Sequence, residues 1–318
     1  TFGADPEFFF KGADGAFVPS EQVLPKEGLQ VHADGVAVRY NSNIIAEWGR
    51  DGVQAEMRKL KPMLCRADAT GQMCTAFNVL TDHLERKHKG ITLSFDQMVD
   101  VPRSVLDNLS NESRQLGCAP SKHVYAEHAE PGVDGATYTL RSAGGHIHLG
   151  SLPALPKERL VMLMDMIVGN TCVLLDRDPA QRVRRQVYGR AGEYRVPDDK
   201  RIEYRTLSNF WMRDRRLAYF VMGLARLAVG VLHITIEPVI SGCRHSSATS
   251  YEFATSRFGN LPQWDAENLL HTHMDVAKVR RAINENDFDL AVENWQGFKR
   301  FILEAIPDAP RPASNVYN

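Results

Sequence analysis

Residues Ala143-Gly144-Gly145-His146-Ile147-His148-Leu149-Gly150 read as a β-strand opened by a pair of glycines. Side chains two apart in a strand share a face, so His146 and His148 point together. The small residues around them allow a ligand to approach the backbone closely. Two histidines at strand spacing among glycines mark a candidate site. Two zinc chemistries compete for such a pair, and the neighbours complete neither. A cupin-like barrel wants a glutamate a few residues on, and a hydrolase of the HxHxDH type wants Asp-His where Gly150-Ser151 stand.

Outward from this strand, the chain alternates between short β-prone runs and long helical ones. Glu7–Phe10 is β-prone, with turn chemistry before it in Asp5-Pro6 and after it in residues 11–15. Gly35–Tyr40 and Val53–Met57 read as further strands, each opened by an Asp-Gly pair. Pro62 suits a first helical turn, and Met63–His88 carries apolar residues at helical spacing before the basic end at Arg86, Lys87 and Lys89. Thr137–Leu149 is a strand interrupted at Gly144-Gly145. Lys157–Leu175 is a long apolar helix, Arg201–Arg205 a strand, and Arg216–His233 and Val276–Ile306 are mainly helical. Strands come singly and in pairs between long helices, without βαβ alternation. The expected fold class is therefore α+β with a largely antiparallel sheet. No linker divides the chain, so residues 1–318 are read as a single domain, with 307–318 as a loosely packed tail.

Composition narrows the function. The 318 residues are 43% hydrophobic and 24% charged, with a formal net charge of −1. A balanced charge provides no global field for nucleic acid or acidic lipid. The two most apolar stretches, Leu160–Leu175 and Leu217–Leu232, are short for a membrane span and broken by Asp165 and Arg226. Five cysteines, an odd number with no CxxC pair, argue against a disulfide framework and for a reducing cytoplasm. The N-terminal residues have no basic-then-apolar pattern, so no signal peptide is expected.

Four further groups carry chemistry. Asp5 and Glu7 place two carboxylates on one strand face, an arrangement that suits Mg²⁺ or Mn²⁺ and that is also common on solvated strands. Glu56 and Arg58 share a face in Gln54–Arg58. Arg201, Glu203 and Arg205 share another, either as an ion-pair ladder or as a metal-binding carboxylate between two phosphate-binding groups. Arg182, Arg184, Arg185, Arg190 and Arg195 crowd a Gly-containing stretch, expected as a loop that clamps an oxyanion or phosphate. There is no GxxxxGK[ST] loop and no GxGxxG after a strand, so ATP, if bound, is bound by another architecture.

The order of these groups is more specific than any one of them. GADPEFFF, DGVQAEMR, RSAGGHIHLG, YGRAGEYR and RIEYRTLSNFW, spread over residues 3–212, resemble the glutamine synthetase and glutamate–cysteine ligase superfamily. Within it they resemble the phage-associated type 2 carboxylate–amine ligases. The resemblance implies a curved antiparallel sheet holding ATP and Mg²⁺ (or Mn²⁺), with helices on its outer face. It implies amide formation between a carboxylate substrate and an amine substrate through an acyl phosphate, with ADP and phosphate released. Asp5, Glu7, Glu56, His146 and Glu203 take the positions of metal ligands, with Glu7 and Glu56 on one ion and the rest on another. His148, Arg201, Arg205 and Arg185 fall at the nucleotide. Arg205, with Glu203, Arg195 and Arg190, falls at the reacting groups. The phage association of the family implies host cytoplasm; charge and apolar stretches give no strong nucleic-acid signal and no membrane span, and an oligomer is possible. Two departures stand out: Asp5 replaces a glutamate, and Trp48, with Glu47 beside it, stands where a second glutamate pairs with Glu56. Two other activities fit the same residues: a guanidino or carboxylate kinase on this scaffold, and a zinc hydrolase using His146 and His148.

Overall fold

A computed structural model describes residues 1–32, 35–37, 44–116, 121–125, 138–151, 156–236 and 265–305. The expected tail, Cys118, Cys243 and the ends of several expected elements lie outside these residues. The strands are β1 (Phe2–Lys11), β2 (Phe17–Val18), β3 (Leu29–His32), β4 (Gly35–Ala37), β5 (Ile44–Asp51), β6 (Gln54–Arg58), β7 (Thr92–Ser94), β8 (Met98–Asp100), β9 (Lys122–His123), β10 (Leu140–Ser142), β11 (Gly145–Leu149), β12 (Glu193–Asp198) and β13 (Arg201–Tyr204). Eleven of them form one sheet, in the order β4-β3-β5-β6-β1-β11-β13-β12-β9, with β2 and β7 on the far half of β1. Every pairing is antiparallel. The structure is thus mixed α and β around a large antiparallel sheet, as the sequence pattern predicts.

Alternation along β1 explains its place at the centre. Phe2, Ala4, Phe8 and Phe10 face one side and are buried in the main core. Asp5 and Glu7 face the other. Register carries this division across the sheet. Ala4 lies opposite Ile147, and Ile147 opposite Tyr204. On the other side, Phe8 lies opposite Ala55. Asp5 lies opposite His146, His148 opposite Glu203, Glu203 opposite Arg195, and Glu7 opposite Glu56. A slip of one residue in any pair would exchange the apolar and ionisable faces, so the buried apolar set fixes the register of the polar one.

The helices are α1 (Arg66–Lys87), α2 (Arg103–Asp107), α3 (Asn111–Arg114), α4 (Lys157–Met164), α5 (Asn170–Leu175), α6 (Ala180–Val187), α7 (Arg215–Ile236), α8 (Asp265–His273), α9 (Val276–Glu285) and α10 (Phe288–Ala305). On α1, Ala69, Met73, Ala76, Phe77, Leu80 and Leu84 form a buried stripe at helical spacing. Phe77 meets Phe8 edge to face, with ring centroids 5.5 Å apart. Buried residues of α4, α7, α9 and α10 join the same core. Among the described residues, no helix is long and apolar enough to cross a membrane.

Two expectations need correction. The long helix over 157–175 is not uniform, because Asp165–Gly169 forms a π turn between α4 and α5. Its first residue, Asp165, accepts hydrogen bonds from Tyr204 (2.6 Å) and Tyr125 (2.9 Å), which join the helical layer to the sheet. The arginine-rich stretch is not a loop. It is α6, a turn with Gly189 at φ 76° and Gly192 at φ 84°, and then β12.

Candidate active site

The ionisable face of β1, β11 and β13 brings four side chains together. His146 Nδ1 lies 3.2 Å from Asp5 Oδ1 and 3.4 Å from Glu203 Oε1. His148 Nε2 lies 3.1 Å from Asp5 Oδ2 and 3.8 Å from Glu203 Oε2. Glu203 has no exposed surface, His146 is 1% exposed and Asp5 8%. Among the described residues, Asp5 Oδ1, His146 Nδ1, His148 Nε2 and Glu203 Oε1 are buried and make no hydrogen bond. Buried donor atoms that converge without bonding one another are what a divalent cation needs. Asp5, His148 and Glu203 satisfy the spacing of a three-ligand cation site. His148 therefore belongs to this group, whereas the sequence reading gave it to the nucleotide, and His146 lies beside it against Asp5 and Glu203.

Beside it, the hairpin of β5 and β6 supplies a second acidic group. Glu7 and Glu56 are register partners, and Glu7 Oε2 accepts a hydrogen bond from the Gly144 amide at 2.6 Å. Burial raises the Glu7 carboxyl well above its usual range, and the charges of Asp51 and Glu56 raise it further. Burial and the charges of Asp51 and Asp5 push Glu56 up to about 8. Asp51 is itself raised, chiefly by burial. Three buried carboxyls, all shifted upwards, form an acidic cluster that positive charge would relieve. Asp5 behaves in the opposite way. Burial acts to raise it, but attraction to His148 and His146 outweighs burial and holds it well below the carboxylate range. Burial acts to lower His148, and the Asp5 charge outweighs that and raises it.

Asp51 escaped the sequence reading because Asp51-Gly52 was taken only as a turn. Strand alternation from Glu47 through Gly49 is the signal that finds it. Glu47, which stands beside Trp48 at the position of the second glutamate, is bonded to Lys59 Nζ at 2.7 Å. Arg58 donates to Glu56 Oε2 at 2.7 Å, lying across Gly49, where a side chain would collide with its guanidinium.

The arginines divide into two groups. Arg195 donates to Glu203 Oε2 through Nε at 2.7 Å, and its side chain is 37% exposed. Arg205 is fully buried, with Nε 3.1 Å from Glu203 Oε1, and donates to Ser121 Oγ at 3.0 Å. Arg201 sits at the end of β13, 3.3 Å from Asp198. Arg185 and Arg190, expected at a phosphate or carboxylate, are occupied elsewhere. Arg185 donates to Gly189 O at 3.1 Å, and Arg190 donates to the carbonyls of Arg185 and Gln186 at the end of α6. Arg184, fully buried, donates to the carbonyls of Thr206 and Leu207, both at 3.0 Å. Helix ends leave unpaired carbonyls, and these arginines satisfy them and the adjoining loop. The pair Gly144-Gly145 likewise makes room for the protein rather than for a ligand. A side chain at Gly144 would strike His146 Nε2, and one at Gly145 the Ser208 carbonyl.

A cavity of about 330 Å³ among α8, α9 and α10, lined by His271, His273, Lys278 and Glu293, shares no element with these groups. Residues 110–260 match the family model described as Phage phiEco32-like COOH.NH2 ligase-type 2. The match spans His146, His148, Arg195, Glu203 and Arg205, and it supports the carboxylate–amine ligase family that the sequence motifs resemble. No curated protein matches the sequence. A ligase family leaves a zinc hydrolase at His146 and His148 without support.

Proposed function

We propose that the chain is a type 2 carboxylate–amine ligase and that it activates its carboxylate substrate with ATP as an acyl phosphate. An amine then displaces the phosphate, and the products are an amide, ADP and phosphate. One observation carries this reading: two arginines, Arg195 and Arg205, meet the same carboxylate, Glu203, that completes the Asp5–His146–His148 cluster. Phosphoryl transfer asks a protein for positive charge and positioning more than for covalent chemistry. Cation-binding carboxylates beside phosphate-binding arginines supply both.

Asp5, His146, His148 and Glu203 would hold one Mg²⁺ or Mn²⁺, and Glu7, Asp51 and Glu56 a second. When bound, these ions draw charge off the phosphate oxygens. Arg205 cannot swing out of the core, so its planar fork is pre-aimed at the group being transferred. Arg195 is partly exposed and opposite Glu203 in register, and it exchanges that carboxylate for a nucleotide phosphate. Arg201, further along the same strand face, steers the polyphosphate. The glutamine synthetase-like curvature of the sheet and a cytoplasmic setting belong to the same reading. Cys65, Cys74 and Cys172 are free thiols, as a reducing compartment keeps them.

The test uses hydroxylamine in place of the amine. With ATP, Mg²⁺ and pooled carboxylates, an acyl phosphate is trapped as a hydroxamate. Hydroxamate formation that requires ATP supports the reading. ADP formation with no hydroxamate from any carboxylate would favour a kinase on this scaffold.

A further inference from the structure

The Tyr188 hydroxyl lies 2.6 Å from His146 Nε2, and the two rings meet edge to face with centroids 5.9 Å apart. Tyr188 reaches this place because α6 stops at Val187 and Tyr188 is itself extended, with φ −157° and ψ 149°. Its ring lies near two guanidinium groups, with Arg184 and Arg205 at 5.1 Å and 5.0 Å from the ring centroid. Cations over an aromatic face hold it by attraction to the ring quadrupole. The ring is therefore held by arginines, and its hydroxyl is bonded to the histidine.

An imidazole offers a cation the lone pair of one nitrogen and keeps its proton on the other. The partner of that second nitrogen decides which is which. His146 Nδ1 faces Asp5 and Glu203. Among the described residues, Nε2 lies 2.6 Å from the Tyr188 hydroxyl and 3.8 Å from Glu7 Oε1. We infer that Tyr188 is a positioning residue of the cation site, accepting the Nε2 proton of His146 so that the Nδ1 lone pair faces Asp5 and Glu203 and the ring stays off Glu7. The inference rests on the cation reading of the proposed function. Without the hydroxyl, the Nε2 proton turns to Glu7 and ties up a carboxylate of the second cluster, or the proton moves to Nδ1 and points at Asp5. Either arrangement removes a donor from the cation.

Tyr188→Phe removes one oxygen and keeps the ring between its arginines. In full-length protein with ¹⁵N-labelled histidine and saturating Mg²⁺, His146 of the wild type shows the tautomer with the proton on Nε2. Its signal is assigned by its loss in His146→Gln. In Tyr188→Phe the His146 signal changes, either as a shifted Nε2–H that has turned to Glu7 or as the Nδ1 tautomer, and Mn²⁺ affinity, read by electron paramagnetic resonance, falls roughly 10- to 100-fold. The His148 signal and the far-ultraviolet circular dichroism stay as in the wild type, which reports an intact fold. Unchanged Mn²⁺ affinity and tautomer in Tyr188→Phe overturn the role of Tyr188 alone. A wild type that binds neither Mn²⁺ nor Mg²⁺ overturns the cation reading and this assignment together. Should the variant fail to fold, the Mg²⁺-loaded wild type decides, and a proton on Nδ1 overturns the inference.

Discussion

Glu203 has no exposed surface, and its carboxylate meets Arg195, Arg205, His146 and His148. Glu203→Gln should abolish turnover because it removes the charge that both the arginines and a cation need. It should also destabilise the fold, since breaking a buried ion pair costs on the order of 3–5 kcal/mol. Steady-state rates and urea unfolding check the two effects separately. Arg205→Lys keeps the charge but loses the two-pronged geometry, and turnover should be lost with it. Glu56 supplies a pH prediction. Its folded-state value of about 8 means that at pH 7 the metal-free cluster still holds its proton. A cation must expel that proton, so Mn²⁺ affinity should climb at least about tenfold per pH unit as pH rises towards that value. Mn²⁺ titrations from pH 6 to 9 read the slope; a flat profile would place the cation elsewhere.

At the scale of elements, the strands that carry chemistry were the legible ones. Asp5 with Glu7, His146 with His148, and Glu203 with Arg205 alternate with buried apolar residues, and a period of two is visible in a linear string. The π turn was not legible, because what motivates it is distant: Asp165 meets Tyr125 and Tyr204 only after the helices dock on the sheet. The arginines of α6 were misassigned for a related reason. Composition shows a cluster of positive charge, but only the fold shows which guanidiniums serve carbonyls. Asp165 also makes a prediction about stability. Burial raises it to about 7 from 3.8. The unfolded chain releases this proton at lower pH than the folded one. The stability that goes with the neutral form is therefore complete below about 3.8 and lost as pH rises towards 7. Asp165→Asn keeps an acceptor for Tyr204 and removes this dependence. Relative to the wild type, it should gain roughly 2–3 kcal/mol between pH 5 and pH 8. Urea unfolding at the two pH values measures the gain, and an equal difference at both would refute it.

At the scale of the molecule, no single segment contains the site. β1, β5, β6, β11, β12 and β13 each contribute to it, and they belong to one sheet. The buried residues under that sheet run from Phe2 to Ala305 in one apolar cluster. Sheet, helices and site should therefore unfold together, and calorimetry should show a single transition that moves up when Mn²⁺ and ATP are added. Two transitions, only one of them responsive to ligand, would contradict a single domain. The family match supports a carboxylate–amine ligase, and the proposed reading commits it to one way of cleaving ATP. In that reading, Arg205 and the cations that the carboxylate clusters would hold stabilise charge where the terminal phosphoryl group departs. The direct measurement is to incubate the protein with ATP, Mg²⁺ and pooled carboxylates and amines, and to separate the nucleotides. The account predicts ADP that rises only when both co-substrates are present; AMP as the main product would contradict it.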